Sequence, residues 1–331
     1  MPFSRLVLSL HSNFFYVQRI TFIINPIAGT RAKKNISDFI LQELDKEKYV
    51  PEFRETEYAG HAYEIARQAV ADGVNVVVAV GGDGTVNEVA SALVHTETIF
   101  AVIPCGSGNG LARHQHIPLH IKGAIQVINE SKVRHLDYGT MGDKPFFCTC
   151  GVGFDAFVSQ KFAEGSKRGF LSYIENTLRE GVRYKSESYT IEYEDRVDRQ
   201  QAFLIACANA SQYGNNAYIA PEASMEDGLM DITIIKPFNT ILAPQVIMQL
   251  FSKSLAVNPH VQMTQASSIR ITRPSEGPVH VDGDPLLMGK VIDVKIHRHA
   301  FRMIVGKPTP NKLMLPLQSF ADICLEILGR K

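Results

Sequence analysis

The sequence predicts an α/β protein, a doubly wound nucleotide-binding domain followed by a mostly antiparallel β-sandwich domain, on three observations. Residues 74–80 are β-branched and apolar without polar alternation, the pattern of a strand buried on both faces of a parallel sheet, and they run into a glycine turn and then a helical spacing. Strands and helices alternate on either side of that unit, with glycine at the strand C-termini. After about Asp137 the texture changes to short β-rich segments separated by Gly, Asn, Asp or Pro turns.

Taken in order, the first strand is expected over 19–24, ending in NPIAG at 25–29. A helix follows over 33–44, with Ile36, Phe39, Ile40 and Leu44 on one face, then a short strand over 51–56 and a helix over 62–71. Strand 74–80 leads through Gly81, Gly82, Asp83 and Gly84 to Val86, Val89, Ala90 and Leu93 at helical spacing, with Thr85 as the expected cap. A strand over 99–103 is closed by PCGSGNG and a helix over 111–114. Ligands of doubly wound sheets bind where the strand C-termini open, so NPIAG, Thr56, GGDGT and GSGN are expected to converge.

The second half should hold strands over 146–150, 188–194, 202–208, 230–235, 268–272 and 290–297, with amphipathic helices over 170–184 and 241–251. Residues 300–305 and 320–328 read as a strand and a helix that return to the first domain. The expected division is an extension at 1–18, a nucleotide-binding domain at 19–136 rejoined by 303–331, and a β-rich domain at 137–302.

A chain of 331 residues with 45% hydrophobic content is long enough for two cores, and its net charge of zero gives no global field for nucleic acid. The five cysteines are odd in number and lack metal-type spacing, as expected of reduced thiols in a cytoplasmic protein. Ser9, His11, Ser12 and Asn13 interrupt the one apolar run near the N-terminus, so no span is expected and any membrane contact is peripheral, at the inner face. His114 with His116 and His297 with His299 have no carboxylate or cysteine partner in sequence and read as ordinary core or surface histidines.

The strand, glycine turn and helix N-terminus at 74–94 aim backbone N–H groups and the positive end of a helix dipole at one spot, which suits a phosphate. A lone GGDG also fits a tight structural turn. Here it stands with NPIAG at 25–29, TEYAG at 56–60, GSGN at 106–109, MEDGLMDI at 225–232 and HVDGDP at 280–285. In order and spacing these pieces make the chain resemble the bacterial diacylglycerol kinase family of lipid kinases, relatives of the sphingosine and ceramide kinases.

The resemblance implies an ATP site in a cleft between two domains. Its nucleotide contacts fall on Asn25, Pro26, Ile27, Ala28, Gly29, Thr56, Gly81, Gly82, Asp83, Gly84, Thr85, Val86, Asn87 and Ser107. Asp284 stands where the family commonly carries the Glu of DGE, assigned as proton acceptor; this chain has DGD, one methylene shorter, and Asp282 either shares the role or is structural. Asp83, in the phosphate turn, would hold Mg²⁺ or bond a substrate hydroxyl. A second, structural Mg²⁺ is implied at Asp227 with the backbone carbonyls of Ser224 and Leu229. GVGFDAFV at 151–158 resembles the head-group region of sphingosine kinases but has Phe157 where those enzymes carry an acid, whereas the loop GSGN with Gly110, Leu111 and Ala112 looks more like theirs. Lys161, Lys167, Arg168, Arg179, Arg183 and Lys185 form a basic cluster for anionic head groups or for water.

The expected function is therefore ATP- and Mg²⁺-dependent phosphorylation of a membrane lipid, diacylglycerol to phosphatidic acid, with the lipid met at the membrane surface and room for a homodimer. Sphingoid-base or ceramide kinase is the alternative. A soluble-substrate kinase of NAD kinase type, or a nucleotide-binding protein without turnover, follows behind.

Overall fold

The computed structural model describes residues 17–28, 35–164 and 184–308. Strand β1 (Gln18–Ile24), helix α1 (Ile36–Glu43), β2 (Tyr49–Glu55), α2 (His61–Ala71), β3 (Val76–Gly81), α3 (Asp83–Leu93) and β4 (Ile99–Pro104) alternate as expected. The four strands lie parallel in the order β2-β1-β3-β4, and β3 and β4 are buried at every residue. Apolar runs without alternation need cover on both faces, and the helices supply it.

Helix α4 (Gly110–His114) and α5 (Ile121–Glu130) lead into β5 (Val133–Met141), β6 (Lys144–Phe146), β7 (Thr149–Gly153) and α6 (Phe154–Glu164). Then come β8 (Glu187–Glu192), β9 (Val197–Ala202), β10 (Leu204–Ala208), β11 (Met230–Ile235), α7 (Ala243–Phe251), β12 (Val261–Ala266), β13 (Ser268–Thr272), β14 (Gly277–Val281), β15 (Asp284–Met288) and β16 (Val291–Ile304). Six of these strands form an antiparallel sheet in the order β12-β11-β10-β7-β14-β15. One face of this sheet packs on β8, β13 and β16 through Val152, Ile191, Ile205, Cys207, Ile232 and Ile271. Its other face meets α6 and α7 through Leu204, Ala206, Ala208, Val158 and Val246. β10 serves both cores because successive side chains alternate faces.

The strand expected to end at His297 continues to Ile304. Its first part pairs antiparallel with β13, and Arg302 and Met303 pair parallel with Ile99 and Phe100 of β4. The register shifts between His297 and Phe301, and His299 sits at φ 48, which marks a β-bulge. Fully buried Asp137 holds the bend by accepting 2.6 Å hydrogen bonds from the N–H groups of His299 and Gly228. One ten-stranded sheet thus runs through both halves of the molecule.

Other boundaries also move. α3 begins at Asp83 with Gly82 as its N-cap, so Thr85 lies inside the helix and is not the cap. The strand expected over 202–208 breaks at Phe203, whose N–H donates to Ile235 O, and the one over 146–150 divides between β6 and β7. The helices expected over 170–184 and 320–328 fall outside the described residues, apart from Tyr184.

His114 bridges the halves. Its Nδ1 accepts from Ser211 N–H at 3.2 Å and lies 3.0 Å from Ser211 Oγ. Burial, and then the neighbouring His116, push its pKa down to about 4. Because the folded pKa lies below the unfolded one, the unfolded chain binds the extra proton first; this contribution is intact above the ordinary histidine pKa and is lost as pH falls toward 4, by up to about 3 kcal/mol. His114→Gln should remove that part of the acid sensitivity, seen as a smaller drop in urea midpoint between neutral pH and about pH 5.

Candidate active site

Three loops meet at the C-terminal edge of the parallel strands. Asn25 N–H donates to Val80 O, Thr56 N–H to Ile24 O and Ile27 N–H to Asn25 Oδ1 at 3.1 Å. Asn25 Nδ2 donates to Thr85 Oγ1 at 3.0 Å, so the Thr85 hydroxyl, on a residue only 5% exposed, joins NPIAG to the helix. Pro26, Ile27 and Ala28 lie on the outer rim, whereas Gly29 falls outside the described residues. Gly82 and Gly106 touch backbone to backbone: a Cβ on Gly106 would stand 2.6 Å from Gly82 Cα, so no side chain fits there.

Asp83 clamps these loops. Its Oδ2 accepts from Asn109 N–H at 2.9 Å and its Oδ1 from Gly110 N–H at 2.8 Å, at the N-terminus of α4. Asn109 closes its own loop, accepting from Gly106 N–H and donating to Gly106 O. Arg113 adds a bond from Nε to Gly108 O at 3.0 Å, and burial draws its pKa below the ordinary arginine value. No pattern in the sequence marks Arg113, since an arginine on a short helix is commonplace.

The DGD motif is a two-residue hairpin. Val281 pairs with Asp284, and Asp282 and Gly283 take φ of 49 and 89, the paired positive angles of a type I′ turn. The Asp282 carboxylate accepts four hydrogen bonds, from the N–H groups of Phe147, Cys148 and Thr149 and from Asn87 Nδ2, at 2.8–3.0 Å. Burial pushes its pKa up against those four bonds. Asn87, matched by resemblance to a nucleotide contact, gives its amide to Asp282 and to Pro145 O, and ties α3 to the hairpin. Asp284 is exposed, and its carboxylate has no hydrogen bond or ion pair among the described residues. Partial desolvation, followed by the carboxylates of Asp282, Asp83 and Glu88, raises its pKa above the usual aspartate value, with His280 opposing.

Between these loops and the outer face of the antiparallel sheet lies a cavity of about 510 Å³. Asp83, Ser107, Gly108, Asp282 and Gly283 line one end, with Val86 beside them; Phe154, Val158, Phe203, Leu204, Ile219, Val246, Ile247 and Leu250 line the rest. In its wall Asp155, 4% exposed, accepts from Ala156 N–H at 2.8 Å and Tyr213 Oη at 3.2 Å, and lies 3.0 Å from His280 Nε2. A Cβ on Gly151 would come within 2.5 Å of Asp155 Oδ2, so glycine makes room for this cluster. The polar residue inside GVGFDAFV was the one sequence signal for it; His280 and Tyr213 lie too far along the chain to be joined to Asp155 by pattern.

At the second expected metal position, Asp227 Oδ1 accepts from Leu229 N–H at 2.9 Å and Ser224 Oγ from Glu226 N–H at 3.2 Å. Burial raises the pKa of nearby Asp231, against a hydrogen bond from Gln265 and with the carboxylates of Asp227 and Glu222 adding to it. Among the described residues no three His, Cys, Asp or Glu side chains converge as a metal cluster. Of the expected basic cluster, residues 167–183 lie outside the described part.

Residues 19–141 match the diacylglycerol kinase catalytic domain, and residues 148–304 the YegS C-terminal NAD kinase beta sandwich-like domain. A diacylglycerol kinase of Staphylococcus saprophyticus is 26% identical over 89% of this chain and 97% of its own length. An uncharacterized protein of Synechocystis is 30% identical over 279 residues, and there the chain spans 64% of the relative's length. A putative diacylglycerol kinase of Bacillus anthracis, 22% identical, superposes with a TM-score of 0.72 over 87% of this chain and 98% of its own, a likeness of fold. The family models and sequence relatives define a lipid kinase, a phosphotransferase. The chain belongs to the diacylglycerol kinase family of lipid kinases.

The clamp has a measurable cost of removal. Asp83→Asn keeps one acceptor and turns the other toward a backbone donor as an NH₂ group, so unfolding free energy should fall by about 1–3 kcal/mol. A thermal melt indistinguishable from that of the parent chain would show that the two N–H bonds do not hold the loops together.

Proposed function

We propose that the protein transfers the γ-phosphate of ATP to the hydroxyl of diacylglycerol, giving phosphatidic acid, with Mg²⁺ and at the inner face of a membrane. The observation that carries this reading is the cavity: about 510 Å³, apolar over most of its wall, with its polar end at the glycine loops and the DGD hairpin. A pocket of that size and character fits acyl carbons, each buried methylene contributing about 0.8 kcal/mol. The relatives named as diacylglycerol kinases support the substrate class.

In this reading the backbone amides of 81–85 and the Ser107 hydroxyl bind the nucleotide phosphates, where the two glycine loops approach backbone to backbone at Gly82 and Gly106. Asn25, Thr56 and Thr85 hold the surrounding loops, while Asn87 acts through Asp282. Partial desolvation first, and then the carboxylates of Asp282, Asp83 and Glu88, raise the pKa of Asp284; a divalent cation beside Asp83 would offset that local negative charge. Mg²⁺, when bound, neutralises phosphate charge. Asp284 takes the proton of the lipid hydroxyl, and the same raised pKa makes it a better base. Asp227, with Ser224 and Leu229 carbonyls, is the proposed structural Mg²⁺ position. Phe157 stands where sphingosine kinases carry an acid, which favours a neutral head group over the amino group of a sphingoid base.

Radiolabelled ATP with mixed micelles of diacylglycerol, monoacylglycerol, sphingosine and ceramide tests the substrate; label in phosphatidic acid is expected, and label confined to a sphingolipid would refute the reading. For the base, Asp284→Asn should lower kcat by roughly 10²–10⁴ with ATP affinity unchanged, and Asp284→Glu should stay active. The acid limb of kcat/KM should sit above the ordinary aspartate pKa, since ionised Asp284 is the active form.

A further inference from the structure

Helix α7 has apolar residues all round. Its sequence, APQVIMQLF, carries no charge, and such helices are found buried or in lipid. One face, through Ala243, Val246, Ile247 and Leu250, lines the cavity. The opposite side is bare: Met248 is 47% exposed, Ile241 just before the helix 81%, and Val257 in the following turn 76%. The segment is firmly seated, with Tyr218 N–H donating to Leu250 O and Asn258 Nδ2 to Gln249 Oε1 at 2.7 Å. Residues 236–260 include exposed Lys236 and Lys253 and no Asp or Glu, in a chain whose net charge is zero.

We propose that residues 241–257 form the surface that docks on an anionic phospholipid bilayer, with Ile241, Met248 and Val257 entering the head-group layer and the two lysines meeting lipid phosphates. The inference rests on the lipid-kinase reading. The element that walls the cavity is then the element that touches the bilayer, so an acyl chain reaches the cavity past α7 without crossing open water. Apolar side chains flanked by cations and free of acids match a negatively charged membrane surface.

The test uses the whole chain and vesicles of phosphatidylcholine, with or without phosphatidylglycerol. Ile241→Glu combined with Val257→Glu should weaken co-sedimentation with the mixed vesicles by about tenfold or more, while turnover of a dispersed short-chain diacylglycerol stays at the parent rate. Lys236→Gln should lose roughly fivefold, on phosphatidylglycerol vesicles only. Parent-level vesicle binding by the double variant overturns the proposal. So does an equal loss of turnover on the dispersed lipid, which would place the segment in the catalytic cavity. A dimer in light scattering that dissolves in the double variant, with vesicle binding intact, assigns the patch to a second copy and overturns it as well. Should the parent chain phosphorylate no diacylglycerol yet bind vesicles through this surface, the substrate reading fails and the docking surface stands.

Discussion

The Asp282 carboxylate is the interaction on which the cleft depends. Its four donors come from two directions: three consecutive N–H groups at the entry to β7 and one side-chain amide on α3. A buried carboxylate left without partners costs several kcal/mol, so the hairpin, the start of β7 and α3 are fixed together or the charge is stranded. The left-handed turn at Asp282 and Gly283 aims that carboxylate inward and leaves Asp284, two residues on, at the surface.

From this point the rest follows by contact. α3 also carries Asp83, which grips the loop ahead of α4, and Thr85, which receives Asn25. A single helix therefore sets the relative positions of the NPIAG, GGDG, GSGN and DGD segments. Phosphoryl transfer relies mainly on placement and charge, and a rigid common support supplies placement without further covalent chemistry. Loops are fixed to one another here by the side chains of Asn25, Asp83, Asn87, Asn109 and Asp282, while the Asp284 side chain carries no hydrogen bond among the described residues.

Much of the first half was legible because buried parallel strands leave an unmistakable pattern, and 74–80 differs from β3 by two residues at the start. Thr85 misled because GGDGT looks like a loop ending in a cap; the helix instead starts at Asp83, whose carboxylate serves a distant loop and not its own first turn. β16 reads in sequence as two strands, 290–297 and 300–305, because a bulge interrupts the alternation. Ile292, Val294 and Ile296 are buried in strict alternation, whereas beyond His299 the buried residues are Ala300, Phe301, Met303 and Ile304, without alternation. A period-two pattern that breaks off at a bulge reads as the end of one strand and the start of another. GVGFDAFV resembles a head-group region in sequence, but α7 as the cavity wall depends on packing across sheet and helix, which no local pattern records.

The continuity of β16 bears on how the chain is made. The edge of β4 finds its partner in Arg302 and Met303, some two hundred residues later in synthesis. Until the ribosome has released that strand, the nascent nucleotide half presents an unpaired, wholly buried-type strand at its edge, and all of β5 waits for the same partner. Such edges template pairing between chains. The bulged strand that unites the sheet is therefore also the strand that covers the last exposed edge of the nucleotide half.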